Sequence, residues 1–576
     1  MLGDPKPNGG RSRGALARRS ERLFGLPDCR AGLTMPRMER LLGHAADWLR
    51  TRSGQTALVL AMLVFMFANG LLSLRNKTLT IDEPKHWRYG AHILAFNSDR
   101  FDDSKMPVSA WNALPRRIGE LLPQFALSAL LSDFQVARVM TLLASLGFAL
   151  VVFLWSRALY GFVPALLSLV LFALDPNIIA HSQLITTDLY AAGTITLALY
   201  CLWRFNQARD WRHALLSALT LGLCQIAKYT GAYLVPLFPI LLLASDAPRL
   251  LELVRQRSWN AIGRYLLRGM RFAAVYVVIG VLVVNIGFEF NRTFTPLRDY
   301  QFKSDLFVSL QQRLSPIGGT AVPVPYPYLQ GLDWVAFNER TGTGYGPVYL
   351  LGQLRRGQGF PGYYFVAYLF KEPLAIQLLG LTAIAAYVWN RRRFHFLQNE
   401  SFLLIPVAFF SVYFNFFFRA QIGFRFFIVA LPLLQVFFAS LLYGWPQVSR
   451  WKRPAVGGLL IYLALSVFSY YPFYLAYFNE LVWDRRQAYK VLADSNLDWG
   501  QSDWYLQRYV ASHPQAHVQP DSSVAGTVIV SVNTLVGVLG GPNHYHWLRA
   551  HFEPVDTIAY SYLVYQIPTD ALDNLH

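Results

Sequence analysis

The sequence predicts an all-α polytopic membrane protein of about eleven transmembrane helices, followed by a small C-terminal soluble α/β domain. Three observations lead there. The 576 residues are 54% hydrophobic and only 15% charged, where soluble domains carry about 25% charged residues. Apolar windows of spanning length recur from Thr56 to Tyr474. Beyond them the pattern changes to strand-like runs, TVIVSV (527–532) and YSYLVYQI (560–567), with helical stretches near Ser502–Tyr509 and Tyr545–His551.

Residues 1–52 are rich in Arg, Gly and Ser without an apolar core, and read as a disordered cytoplasmic tail, with Met35 and Met38 open as alternative starts. The run Thr56–Leu74 lacks a small-residue cleavage site and reads as a retained helix. Further spans are expected near 135–156, 160–178, 186–204, 213–228, 230–246, 271–289, 373–390, 402–418, 424–443 and 455–474. The catalytic core then covers 53–475, with outer loops at 75–134 and 290–372, and the extracytoplasmic domain covers 476–576. The net charge of +18 is concentrated in Met1–Arg52, Arg204–Arg212, Arg249–Arg271, Arg391–Arg393 and Arg450–Arg453. Basic loops mark the cytoplasmic side, so the N-terminus lies inside and the C-terminus outside. A nucleic-acid binder would instead need a soluble basic face. Cys29, Cys201 and Cys224 form no disulfide framework, since one lies in the tail and two in apolar runs.

This topology brings the polar constellations to the outer face. Asp82 and Glu83 precede Pro84, which predicts a short helix with both acids at its positive end. Arg138 and Lys228 sit inside apolar runs, where charge is expensive and functional roles concentrate. Arg425 opens a late span near Arg419 and reads equally as an interfacial, snorkelling residue. No internal repeat is present, although a lipid or sugar transporter commonly shows repeated halves. The pieces around SAWNALPRRIGELL and PQFALSALLS are expected to lie in the interface.

Several motifs together resemble the GT-C membrane glycosyltransferases, specifically the protein O-mannosyltransferase family and its bacterial relatives. They run in order: TIDEPKHWRYG, QVARVMTLLASLG, AHSQLITTDLYAA, QIAKYTGAYLVP, FKEPL, IGFRFFIVALP and SNLDWGQSDWYLQRY. Two features depart from that pattern. The Asn-Pro-Pro-type motif is represented only by KMPVSAWNALP, and the 291–372 loop has no room for the large insertion of the eukaryotic enzymes.

The resemblance implies an inverting glycosyltransferase of the bacterial inner membrane. It would move a hexose or pentose from a polyprenyl-phosphate donor to a hydroxyl on protein, lipid or glycan at the outer face. Asp82 is then the expected general base, with Glu83 orienting it or binding acceptor, although residue chemistry alone leaves the two interchangeable. Arg138, Lys228 and Arg425 are candidates for the donor phosphate. Asp188 contacts the sugar or ties helix ends together. Lys371 and Glu372 form an ion pair or bind donor. Asn496 and Asp498 cap the C-terminal domain or contact acceptor. His86 is expected to hydrogen-bond the acid pair. No cofactor is required; His86 and His181 with Asp82 and Glu83 offer imidazole and carboxylate ligands to a divalent ion, but without a tight ligand pattern. Adjacent acids do not suit a double displacement, which needs carboxylates on opposite faces of the bond.

Overall fold

The computed structural model describes residues 51–97, 104–124, 126–444 and 452–572. The expected tail therefore lies, up to residue 50, outside the described residues. Two compact units are present, Met1–Leu58 and Val59–His576. Of the first, only the opening of helix α1 (Arg52–Ser73) is described. The second holds everything considered below, with the C-terminal segment in the same unit as the helical core.

Every apolar window of the sequence carries helix, and the chain is a mostly helical, multi-pass membrane protein. By length and composition, five of the described helices suffice to cross a bilayer: Arg52–Ser73, Phe134–Tyr160, Tyr229–Arg255, Trp259–Gly287 and Phe424–Leu442. A sixth arises if Tyr363–Lys371 and Leu374–Trp389, bent by 112°, count as one broken span. The other windows hold helices that are shorter, such as Phe162–Ala173 and Ser401–Phe416, or more polar. The expected eleven crossings thus exceed what helix length and composition alone support.

Two short outer helices follow α1: α2 (Glu83–Leu94) and α3 (Ser109–Leu121). They pack closely because Gly90 lies against the Ser109 carbonyl, leaving no space for a Cβ. The exposed face of α3 carries the pairs Arg116–Glu120 and Arg117–Glu120, in keeping with an interfacial position. Then come α4 (Phe134–Tyr160), α5 (Asp188–Ala208), α6 (Trp211–Ala227), α7 (Leu234–Arg255) and α8 (Trp259–Gly287). Helix α6 stops at Lys228, whose extended backbone (φ −160°, ψ 146°) separates it from the 3-10 turn Tyr229–Tyr233. Small residues let these helices approach: a Cβ on Gly222 of α6 would come within 2.7 Å of Val283 on α8.

The outer loop is ordered, with helix α9 (Tyr326–Thr341) and a hairpin of β1 (Val348–Leu350) and β2 (Gln353–Arg355). The C-terminal segment contains helix α10 (Asp503–Ser512) and a four-stranded sheet in the order β3-β4-β6-β5. These strands are β3 (His517–Val518), β4 (Gly526–Ser531), β5 (Asp556–Ile558) and β6 (Tyr562–Ile567); only β3 and β4 run parallel. The two-residue alternation decides which face each side chain covers. Ile529 and Val564 pack on Tyr505, Leu506 and Tyr509 of α10, whereas Val528, Val530, Leu563 and Tyr565 join the main core.

Gly222→Leu should lower the thermal unfolding midpoint through overpacking worth about 1–3 kcal/mol. Gly280→Ala on α8, where a Cβ meets nothing within 4 Å, should be neutral or stabilising. Melting both variants in detergent checks the contrast.

Candidate active site

The site is built around the turn into α2. Asp82 is the residue before that helix, but its side chain makes no capping bond. It points instead to Arg425, whose Nη1 donates to Asp82 Oδ2 at 2.8 Å, and its side chain stays 27% exposed. Burial would raise the Asp82 carboxyl. The charge and hydrogen bond of Arg425, with Lys105 nearby, outweigh that and hold it below the usual carboxylate range.

Glu83, one residue on, has the opposite environment. Its side chain is fully buried and bound by Arg138 through Nε (2.8 Å) and Nη2 (2.6 Å). The amides of Thr80 and Ile185 donate to the same carboxylate at 2.8 and 2.9 Å. Arg138 spends its remaining contacts on the Lys77 and Thr78 carbonyls and lies over the Phe134 ring. This corrects two expectations. Arg138 is enclosed by protein partners and does not present itself to a donor phosphate, and Glu83 has no exposed oxygen to offer as base or acceptor ligand. The pair is a buried brace.

The cations that do gather near Asp82 come from three places. Lys228, at the break after α6, donates to Asp188 Oδ1 at 2.5 Å and lies over the Phe426 ring. Asp188 heads α5 and also stands 4.0 Å from Arg425. Arg425 opens the 3-10 segment Phe424–Ala430, with its guanidinium 4.2 Å from the Trp499 ring centroid and its Nε buried without a partner. The third is Lys105, a buried residue that the sequence reading missed. The following turn is fixed beside Lys228 by the Val108 amide donating to Ile226 O (3.1 Å) and by Met106 packing on Tyr229. Its one sequence signal is the KMP run at 105–107.

His86 is buried, with Nδ1 3.3 Å from Ser109 Oγ, and among the described residues no carboxylate is hydrogen-bonded to it. Burial, helped by Lys105, lowers its pKa to about 3. His181 pairs Nδ1 with the Asn177 carbonyl at 2.9 Å, so that nitrogen carries the proton and Nε2 is left as a buried, unpartnered acceptor. Burial lowers this histidine to about 4. Among the described residues no group of three or more His, Cys, Asp or Glu is arranged to hold a metal. The four ligands considered from sequence do not converge, because Glu83 is committed to Arg138.

The C-terminal segment supplies one wall. The Ile81 amide donates to Trp499 O at 3.0 Å and the Thr78 amide to Gln501 O at 3.1 Å. Asn496 accepts from the Phe424 amide (2.9 Å) and donates to Tyr363 Oη (3.0 Å), and Asp498 accepts from the Gly500 amide (3.0 Å). Both make bracing contacts within the protein. Lys371 likewise faces inward, donating to the carbonyls of Leu475 (2.7 Å) and Asn496 (2.8 Å). Glu372 lies by Asn177 Nδ2 at 3.4 Å, so the anticipated Lys371–Glu372 ion pair is not formed. Sequence reading also passed over the triad in which Tyr233 (2.9 Å) and Tyr413 (2.6 Å) both donate to Glu339 of α9, pinning the outer loop over the core.

Fold and site together describe a multi-pass membrane protein with a cluster of carboxylates and cations around Asp82. Residues 124–259 match the family described as dolichyl-phosphate-mannose-protein mannosyltransferase, a stretch that contains Arg138, Asp188 and Lys228. No curated protein sequence matches the chain. Similar solved structures include ArnT from Cupriavidus metallidurans bound to undecaprenyl phosphate, at 12% identity and a TM-score of 0.44, covering 89% of this chain and 98% of that one. The Archaeoglobus fulgidus oligosaccharyltransferase tethered with an acceptor peptide is 14% identical, with a TM-score of 0.44, over 73% of this chain and 54% of that one.

Glu83→Gln should cost about 3–5 kcal/mol of stability, because it strands a buried arginine. Asp82→Asn should cost about 1 kcal/mol or less, its ion pair being partly exposed; thermal unfolding separates the two. Stability should also fall as the pH drops below about 6.5. The unfolded chain then protonates His86 and His181, whereas the native state keeps them neutral down to about 3 and about 4. His181→Gln should reduce that slope in a pH series of melts.

Proposed function

We propose that this protein is an inverting glycosyltransferase, transferring a sugar from a polyprenyl-phosphate donor to a hydroxyl acceptor at the outer face of the bacterial cytoplasmic membrane. The observation that carries the reading is one accessible carboxylate, Asp82, beside Arg425 and Lys105, with Lys228 joined to Arg425 through Asp188, at the end of the helices opposite the basic loops. The match of residues 124–259 to a dolichyl-phosphate-mannose-dependent family supports the donor class.

The chemistry follows from these positions. The acceptor oxygen attacks the anomeric carbon while its proton passes to an Asp82 carboxylate oxygen. The bond from that carbon to the phosphate oxygen breaks, and the electron pair leaves on the polyprenyl phosphate. Arg425 with its planar fork, and Lys228 and Lys105 as point charges, stabilise the charge that accumulates there. Asp188 holds Lys228 and Arg425 on one side of the site. A phosphate arriving at Arg425 competes with Asp82 for the guanidinium. That loosens the contact lowering the Asp82 pKa, so donor binding strengthens the base. A single displacement inverts the anomeric centre, and Glu83, locked to Arg138, is not positioned to act as a second carboxylate for retention.

The test uses purified protein in lipid, a panel of radiolabelled polyprenyl-phosphate sugars, and membrane extract as acceptor source. Wild type should release polyprenyl phosphate and label an acceptor. Asp82→Asn should bind donor but turn over roughly 100- to 10,000-fold more slowly. Lys228→Met and Lys105→Met should weaken donor binding as well as turnover. Equal turnover by wild type and Asp82→Asn would remove Asp82 as the base, and movement of the donor across vesicles without sugar transfer would favour a transporter.

A further inference from the structure

A second feature lies away from the catalytic face. Helices α5, α6, α7 and α8 enclose an elongated groove of about 870 Å³, lined mainly by Leu, Val and Phe side chains. Its lining on α8 runs from Tyr265 to Val284, about 28 Å at the helical rise, close to the hydrocarbon thickness of a bilayer. Gly269 and Gly280 lie on its α8 wall, and a Cβ at either would meet nothing within 4 Å, so these glycines keep the channel wide. At the end near the site, Tyr328 closes it by donating to Gln225 Oε1 at 2.9 Å.

The other end is polar and positively charged. Arg209 pairs with Asp246 at 3.0 Å, and Tyr265 donates to the same carboxylate at 2.8 Å. Arg268 donates to the Arg209 carbonyl, which carries no charge. Arg249 and Arg268 are exposed at the mouth, and among the described residues neither has a carboxylate partner. An apolar channel of membrane length that opens on two unneutralised arginines is complementary to an amphiphile with a long hydrocarbon chain and an anionic head.

We propose that this groove is a binding site for an anionic glycerophospholipid of the leaflet that faces the basic loops. Its acyl chain lies along α8 and its phosphate rests between Arg249 and Arg268. The site is separate from the catalytic one, because the charged mouth is at the opposite end of the groove from the Lys228 break. The bound lipid fills the space between α7 and α8 and holds the span that follows Lys228 in place.

The test titrates phosphatidylglycerol or phosphatidylcholine with the same acyl chains into the full-length protein in neutral detergent, following the unfolding midpoint and counting bound lipids by native mass spectrometry. Wild type should be stabilised saturably by phosphatidylglycerol and much less by phosphatidylcholine. Arg249→Gln with Arg268→Gln should weaken the apparent affinity for phosphatidylglycerol roughly tenfold or more and leave the lipid-free midpoint unchanged. The corresponding pair of lysine substitutions should restore binding. Gly280→Phe, which fills the channel, should weaken both lipids. The proposal is overturned if wild type does not discriminate, if the double glutamine variant still does, or if Gly280→Phe binds like wild type. It is equally overturned if undecaprenyl phosphate, and not phosphatidylglycerol, is what the two arginines retain.

Discussion

The pairing of Glu83 with Arg138 is the constraint on which the outer face depends. A carboxylate and a guanidinium removed from water are tolerable only when nearly every polar atom is satisfied. Here the carboxylate accepts from Arg138 and two amides, and Arg138 also donates to two carbonyls. Those partners belong to the turn before α2, to α4 and to the loop before α5. One pair therefore fixes three segments and sets the direction in which the preceding residue can point. Asp82 keeps an exposed carboxylate while Glu83 is fully enclosed.

The remaining charges are matched rather than merely gathered. Lys228 and Arg425 share Asp188, and Arg425 is shared in turn with Asp82. Aromatic rings of Phe426 and Trp499 lie against these cations and limit their hydration. Asp494 belongs to the same field: its backbone is in the left-handed region (φ 58°), and burial pushes its carboxyl up to about 7 despite Arg425. Such a network holds the cations in place at modest cost, and each member can be exchanged for a ligand oxygen without leaving its partner bare.

Much of this was legible in the sequence, and the exceptions have physical causes. The helix at Pro84, the break at Lys228-Tyr229 and the two strands TVIVSV and YSYLVYQI follow from local rules and are found where those rules put them. The segments carrying Asp82, Asp188, Lys228 and Arg425 do meet. What sequence did not reveal was pairing. An arginine in an apolar run reads alike whether it faces a substrate or a buried glutamate 55 positions away, and Arg138 faces the glutamate. The inward contacts of Lys371 were likewise invisible, since a polar residue that braces a buried loop carries no local mark. Lys105 escaped notice because its role depends on a turn held against α6, a contact that no spacing rule encodes. By length and composition, the described helices give five or six crossings where apolar content alone suggests about eleven, because apolar content is visible in sequence while helix length is not.

The contact between residues 78–81 and 499–501 bears on how this protein is made. Thr78 Oγ1 donates to Gly500 O across 422 positions of sequence, so the loop beneath Asp82 is completed by residues synthesised long after it. Closing so large a loop is entropically costly, and contacts of that range form late in folding. During synthesis the helices can insert and pack while Arg425 lacks its Trp499 cover and the turn at Ile81 lacks the 499–501 segment it pairs with. The face around Asp82 is thus completed only after residues 499–501 have been made, and a chain stopped before them would carry the acids and cations without the wall that assembles them.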